Sequence, residues 1–222
     1  MTRILVLSDI HERTQKLKLL SKRVEVEGGV DAVIVAGDLT YYKTMEVAVE
    51  VLRKLREAIG RPVFFIPGNC DDPRLLNAGE IYEGIIGVHG RAVVLDNYVL
   101  YGIGGGGISP FHTMIEFSEE EFSRFLNEAE ELDPSRLIMA THQPVHGFFD
   151  KVGGVNVGSR AFRRFLEERK PLLWVTGHIH EHSGWTRAGS TIIVHPGPFM
   201  RGYHALIELS GTTVNRVVVG RV

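Results

Sequence analysis

The first third of the chain contains three short apolar runs, Arg3–Leu7, Asp31–Ala36 and Pro62–Ile66, with helix-periodic stretches between them. The runs are rich in Val, Ile, Leu and Phe and show no polar alternation. Runs of this length, bounded by turn residues, predict strands covered on both faces. After the first, Leu17, Leu20 and Val24 recur at helical spacing, with Thr14 as the expected N-cap and Gly28-Gly29 as the stop. After the second, Thr44 heads a helix with the stripe Ala48, Val51, Leu52, Leu55 and Ile59, ended by Gly60. A βαβαβ order predicts a parallel sheet within an α/β fold, with its ligand crevice in the loops at the carboxyl ends of the strands. Asp9, His11, Asp38 and Asn69 fall in those loops. Burying an unpaired carboxylate is costly, so these groups point to a site rather than to packing.

The rest of the chain adds more strand ends. Ala92–Leu95 and Tyr98–Ile103 predict a hairpin around Asp96-Asn97. The glycines at 102, 104 and 107 match G-x-G-x-x-G in letters only. A hairpin precedes them and Ser109-Pro110 follows, so a tight backbone turn near the crevice is the reading, not a dinucleotide site. Ser118-Glu119-Glu120-Glu121 is a capping box opening a helix expected to close at Asp133-Pro134, with its acidic first turn in solvent. Arg136–Thr141 predicts a core strand ending in His142, followed by a long glycine-rich loop to Gly158. Ser159 caps a helix through Phe162, Phe165 and Leu166. The strand Leu172–Thr176 then runs into Gly177-His178-Ile179-His180, where the glycine is expected to let the backbone turn sharply. Thr191–Val194, His204–Leu209 and Thr213–Val219 predict antiparallel strands of a second sheet. With no repeat or linker, residues 1–222 are expected to form a single domain.

Composition excludes some functions. The formal net charge is −2 and no basic stripe is visible, which gives no electrostatic case for a nucleic-acid or anionic-membrane partner. Cys70 is the only cysteine, so no intrachain disulfide can form. The apolar run at the N-terminus is too short for a signal peptide and no stretch reaches the length of a membrane span. A cytoplasmic protein is expected.

Strand ends therefore deliver Asp9 and His11, Asp38, Asn69, His142, and His178 with His180. Carboxylate, amide and imidazole donors together suit Mn, Fe, Zn or Ni rather than Ca or Mg. Seven groups exceed one tetrahedral site but fit two divalent metals sharing a carboxylate. Asp9 and Asp38 neutralise only half the charge of such a pair. The surplus would attract an anion and favour a metal-bound hydroxide, and a phosphate ester meets that chemistry.

The series Asp9-x-His11, Gly37-Asp38, Gly68-Asn69-Cys70-Asp71, His142 and Gly177-His178-x-His180 resembles the calcineurin-like metallophosphoesterase family across nearly the whole chain. Its last part, with Glu181 and the later His195-Pro196-Gly197, is similar to the small Icc-like bacterial and archaeal branch. The resemblance implies a four-layer α/β/β/α sandwich of two mixed sheets. It assigns Asp9, His11, Asp38 and His180 to a first metal, and Asp38, Asn69, His142 and His178 to a second, with Asp38 bridging.

Two positions depart from the family. His195 stands where Asn is common. Cys70 stands where many members carry a histidine that contacts phosphate and protonates the leaving group, oriented by the acid at the position of Asp71. A thiol beside a dication is expected to ionise easily and to anchor anions poorly, so aryl esters should be cleaved best. His146, in the long loop, is a candidate substrate contact, with His112 and His195 behind it. Arg160, near a helix start, is a candidate phosphate contact.

The catalytic candidates are thus Asp38, Cys70, Asp71, His142 and His146. The expected function is hydrolysis of small phosphoesters, diesters in preference to monoesters, by a metal-bridging hydroxide. The competing reading is a metal-bound scaffold with little catalysis, a role this fold also serves. The complete ligand set favours the enzyme. An open edge of the second sheet offers a surface for a homodimer.

Overall fold

A computed structural model describes residues 1–222. Strands β1 (Thr2–Leu7), β2 (Ala32–Ala36) and β3 (Val63–Ile66) lie side by side and parallel, connected through α1 (Leu17–Val26) and α2 (Met45–Ile59). Next come β4 (Glu80–Tyr82) and β5 (Ile85–Gly87), then the hairpin β6 (Ala92–Leu95) and β7 (Tyr98–Ile103). Two-residue strands β8 (Gly106–Gly107) and β9 (Glu116–Phe117) precede α3 (Glu119–Asn127) and β10 (Leu137–Thr141). A small hairpin, β11 (Lys151–Val152) and β12 (Val155–Asn156), interrupts the long loop before α4 (Arg160–Arg169) and β13 (Leu173–Val175). The chain ends with β14 (Gly184–Ala188), β15 (Thr191–His195), β16 (Tyr203–Ser210) and β17 (Thr213–Arg221).

Seven strands form one mixed sheet in the order β17-β16-β1-β2-β3-β5-β4, and six form the other in the order β14-β15-β13-β10-β7-β6. The period of two along a strand assigns its side chains to opposite faces. In β1, Leu5 and Leu7 pack with Leu20, Leu52 and Leu55 beneath α1 and α2. Ile4 and Val6 point the other way, into an apolar layer between the sheets with Ile138, Val175 and Ile207. Met139 and Trp174 of the second sheet meet Phe122, Phe162 and Phe165 beneath α3 and α4. Three apolar interlayers separate four layers, which makes the α/β/β/α sandwich.

Several local expectations need correction. β16 and β17 extend the first sheet, where β16 pairs antiparallel with β1 from Thr2↔Leu209 to Val6↔Ala205. Without β16, β1 would leave an apolar strand edge open. β15 does join the second sheet, but parallel to β13. The cap of α1 is Lys16, not Thr14, whose carbonyl instead accepts from Leu17 N in the preceding turn. Thr44 is the N-cap of α2 but its hydroxyl caps nothing, whereas Ser118 makes the full capping box. α3 ends at Asn127 rather than at Asp133. Its Glu119 is exposed, as expected of an acidic first turn, but also makes a long-range contact. The carboxylate accepts from Ser159 Oγ at 3.0 Å, Arg160 N at 3.1 Å and Ala161 N at 2.7 Å. The α4 N-terminus, where Arg160 was expected to meet phosphate, is therefore filled by the protein's own anion. No helix is long and apolar enough to cross a membrane.

Candidate metal centre

Five strands of both sheets end in the crevice: β1, β2 and β3 of the first, β10 and β13 of the second. Their loops turn abruptly. Asp9 (φ 54°), His11 (φ 45°), Asp38 (φ 51°) and His178 (φ 76°) all have left-handed backbones. Each such residue costs on the order of 1 kcal/mol unless the surroundings enforce it, and strain of this kind concentrates where side chains must be aimed. Backbone bonds enforce it here: Asp9 N donates to Gly37 O, His11 N to Asp38 O, and Met200 N to Asp9 O. The sharp turn expected at Gly177 lies one residue later, at His178. Gly177 is required for a different reason, because a Cβ there would collide with Ser8 Oγ. Gly68 is required likewise, since its Cβ would overlap the Asp38 carboxylate.

The turns gather two clusters. Asp9, His11 and His180 place one donor atom each within 4.8 Å of one another, and Asp38, His142 and His178 do the same. Asp38 lies between them, with Oδ2 3.6 Å from His11 Nε2 and Oδ1 3.4 Å from His142 Nε2. Asn69 Oδ1 is 3.0 Å from His142 Nε2. In the other cluster, His180 Nε2 is 3.2 Å from Asp9 Oδ1 and 3.3 Å from His11 Nε2. All seven metal-ligand candidates thus converge on one crevice.

Hydrogen bonds behind the cluster determine which nitrogen faces it. His142 Nδ1 lies 2.7 Å from Ala36 O and His11 Nδ1 lies 3.2 Å from Thr40 O. A carbonyl accepts only from N–H, so Nδ1 carries a proton in each ring and Nε2 is the atom turned toward the crevice, able to ligate when the ring is neutral. His195, though fully buried, is organised differently. Its Nε2–H donates to Gly177 O at 2.9 Å and its Nδ1 accepts from Gly197 N at 3.1 Å. Both nitrogens are committed to backbone, so His195 clamps the turn before His178 and is no ligand.

The electrostatics are those of an anion pair facing imidazoles. Burial works to raise the Asp9 carboxyl, but the His180 hydrogen bond and the charges of His142 and His180 hold it far below the usual range. Asp38 is lowered too, with burial overridden by His142. Burial opposes the charge on His142, yet Asp38 and Asp9 lift it to about 9. His178 goes the other way, to about 4, through burial and then the nearby His142 charge.

The remaining candidates lie around this centre. Asp71 is buried and touches none of the donors. Its Oδ1 accepts from Thr40 N at 2.7 Å and Thr40 Oγ1 at 2.9 Å, and its Oδ2 from Gly68 N at 2.8 Å and Leu39 N at 3.0 Å. It ties the loop after β2 to the loop after β3. Cys70 Sγ is near Asn69 Nδ2 at 3.6 Å. Burial and then the Asp38 charge push its thiol above the ordinary cysteine range, so the protein groups oppose the easy ionisation expected of it. His146 Nδ1 lies 3.8 Å from Asp150 Oδ2. His112 is exposed on the loop before β9. Sequence reasoning missed Gln143, whose side chain bonds backbone at both ends, because nothing in its letters distinguishes a clasp from a loop amide.

Residues 2–182 match the calcineurin-like phosphoesterase family. An uncharacterized protein of Methanocaldococcus jannaschii is 28% identical over 182 residues, covering 78% of this chain and 80% of its own. The crystal structure of a Thermus thermophilus protein, TT1561, superposes with a TM-score of 0.77 at 21% identity, over 99% of this chain and 98% of that one. A dimetal phosphatase from Danio rerio superposes with a TM-score of 0.65 at 12% identity, over 98% of each chain. These likenesses extend to the whole α/β/β/α frame, and the family match takes in every strand end that feeds the crevice. The chain belongs to the calcineurin-like phosphoesterase family.

Proposed function

We propose that this protein is a dinuclear-metal phosphoesterase that hydrolyses small phosphodiesters. The observation that carries the reading is the position of Asp38, a donor of the second cluster with Oδ1 toward His142, whose Oδ2 faces His11 of the first. Asp9, His11, Asp38 and His180 would hold one ion, and Asp38, Asn69, His142 and His178 the other. The donor set fits borderline divalent ions such as Mn, Fe, Zn or Ni, with Mn first. When bound, such a pair lowers the pKa of water and offsets charge on phosphoryl oxygens.

The chain's own groups do the rest. The Nδ1–H bonds of His11 and His142 keep both Nε2 atoms aimed inward, where they would ligate as neutral rings. Asp71 keeps the Asp38 and Asn69 loops in register. Cys70 offers no cationic contact to a departing oxyanion, which favours leaving groups that need little protonation, such as aryl oxides. His146 stands on the long loop beside the buried Asp150 as the candidate substrate contact. Residues 1–222 act as one unit on this reading, in the cytoplasm, and the open sheet edges leave a homodimer as a proposal.

The test is metal content and turnover together. Mn-loaded protein should bind two ions per chain and release nitrophenol from a bis-aryl phosphate. Asp38→Ala should lower both ion number and rate. Full turnover after chelation and refolding would overturn the metal-dependent reading, whereas two bound ions without turnover would favour a scaffold of the same fold.

A further inference from the structure

Beside the metal centre, on the side of Asn69 and His178, lies a groove of about 340 Å³. That is the size of a small-molecule subsite. Its apolar lining is Ile108, Pro110, Phe111, Val152, Val157 and Ile179. Two loops supply most of it, the segment between β8 and β9 and the β11–β12 hairpin. Both hold large apolar side chains out in solvent. Phe111 is 81% exposed, Ile108 73% and Val155 64%. Surface apolar groups scattered singly need no explanation, but a cluster rimming a cleft does.

The loops are fixed in position. Glu116 accepts from Ser109 Oγ at 2.7 Å, Thr113 Oγ1 at 2.8 Å and Thr113 N at 2.9 Å, which closes the first loop. Asp150 accepts from Gly147 N and Gly158 N, both at 3.0 Å, which closes the second. Gln143 joins them, since its Oε1 accepts from Gly107 N at 3.0 Å and its Nε2 donates to Val157 O at 2.7 Å. Gln143 directly follows His142, so the groove is anchored to the metal-ligand framework.

These bonds also decide what the groove can recognise. Ser109, Thr113 and Gln143 are its polar side chains away from the metal centre, and each is already bonded within the protein. A nucleobase would exchange its water for little more than the second N–H and lone pair of Gln143 and spare hydroxyl lone pairs, a costly exchange. Phe111 is the one aromatic ring in the lining apart from the ligand candidate His178, so no second ring free of the metal centre is available to sandwich a base. An aliphatic chain needs neither. We propose that this groove is a subsite for an aliphatic chain esterified to the phosphate, so that the substrate class is an alkyl phosphodiester rather than a nucleotide. The proposal rests on the phosphoesterase reading above.

The test uses the Mn-loaded full chain and p-nitrophenyl phosphodiesters whose second ester group is methyl, butyl, octyl or thymidine 5′-yl, all below micelle-forming concentrations. Full burial of a methylene corresponds to roughly a fourfold gain, and half-burial in an open groove to about twofold. kcat/KM should therefore rise with chain length, by on the order of a hundredfold over the seven added methylenes from methyl to octyl. The thymidine ester should stay near methyl. The double variant Ile108→Ser/Phe111→Ser should collapse the octyl-to-methyl ratio, while Val94→Ser on distant β6 leaves it. A flat series, or a thymidine ester better than octyl, would overturn the proposal. Calorimetry with octyl and methyl phosphate separates the two readings. Chain-length-dependent affinity without turnover would keep the groove and overturn the hydrolase, whereas no chain-length dependence in either measurement overturns the groove.

Discussion

Replacing Asp71 by Asn tests how the centre is held together. Each carboxylate oxygen of Asp71 accepts two donors, Thr40 N and Oγ1 on Oδ1, Leu39 N and Gly68 N on Oδ2. An amide keeps one of those oxygens. Its NH₂ is least harmful on the Thr40 side, where the hydroxyl can rotate and accept, but Thr40 N–H cannot. At least one charge-assisted bond is then lost, at about 1.5–3 kcal/mol, and one buried N–H is orphaned, at about 1–3 kcal/mol. The sum, about 2.5–6 kcal/mol, is a large share of an ordinary stability of about 5–15 kcal/mol. Burial and the Asp38 charge raise the Asp71 carboxyl to about 7, so urea unfolding should be measured at about pH 8.5, where it is ionised. Metal affinity should fall roughly 10–100-fold, because Leu39 and Gly68 flank the donors Asp38 and Asn69. An Asp71→Asn protein within about 1 kcal/mol of wild type and with unchanged metal affinity would refute the reasoning. A lower kcat alone would instead place Asp71 against the substrate.

Other consequences follow from the same geometry. His142→Ala should lower phosphodiester turnover by roughly 10²–10³-fold in steady-state assays, since it removes a donor from the crevice. His195 is held neutral at about 4 by burial, against 6.5 unfolded. Its contribution is complete above about pH 6.5 and is lost as pH falls toward 4, because the unfolded chain takes the proton first. The loss is about 3 kcal/mol, and His195→Asn should flatten that part of the urea-midpoint profile. Cys70, raised by burial and Asp38, should react with iodoacetamide at least about tenfold more slowly than free cysteine near pH 8. Cys70→His should improve alkyl esters more than aryl esters. Equal gains on both would remove the leaving-group explanation.

The metal-ligand candidates were legible because each stands directly after an apolar run, where a polar residue has no packing role. Period and length sufficed for β1, β2, β3, β10 and β13. Partner choice was not legible in β16, whose letters suit either sheet. The register Ile4↔Ile207 is settled by the open edge of β1, a long-range fact. β14, with Trp185 and Arg187 facing solvent, lacks an apolar signature altogether. The direction of Asp71 was illegible for another reason. It depends on the left-handed backbone at Asp38, which brings Leu39 N and Thr40 N over the carboxylate. The contact of the exposed Glu119 was illegible because its partner, the start of α4, is 40 residues away in the chain.

Two facing carboxylates would repel without a cation, so the fold must hold them apart from any metal. His142, lifted to about 9, supplies that countercharge as an imidazolium below pH 9. The strand ends are also fixed by backbone bonds, and three apolar layers lie behind them. Chelator-stripped protein should therefore keep its far-ultraviolet dichroism and its cooperative melt. At free metal about 100 times Kd, each site adds about 2.7 kcal/mol, or roughly 5–10 °C in Tm for a chain of this size. Metal binding needs neutral His142, so loading at pH 7.5 should release its proton and affinity should climb until about pH 9. Calorimetry in buffers of differing ionisation enthalpy reads that proton directly. A stripped protein that unfolds would show that the metals hold the strand ends. Loading without proton release would show that His142 is neutral beforehand and that something else balances Asp9 and Asp38.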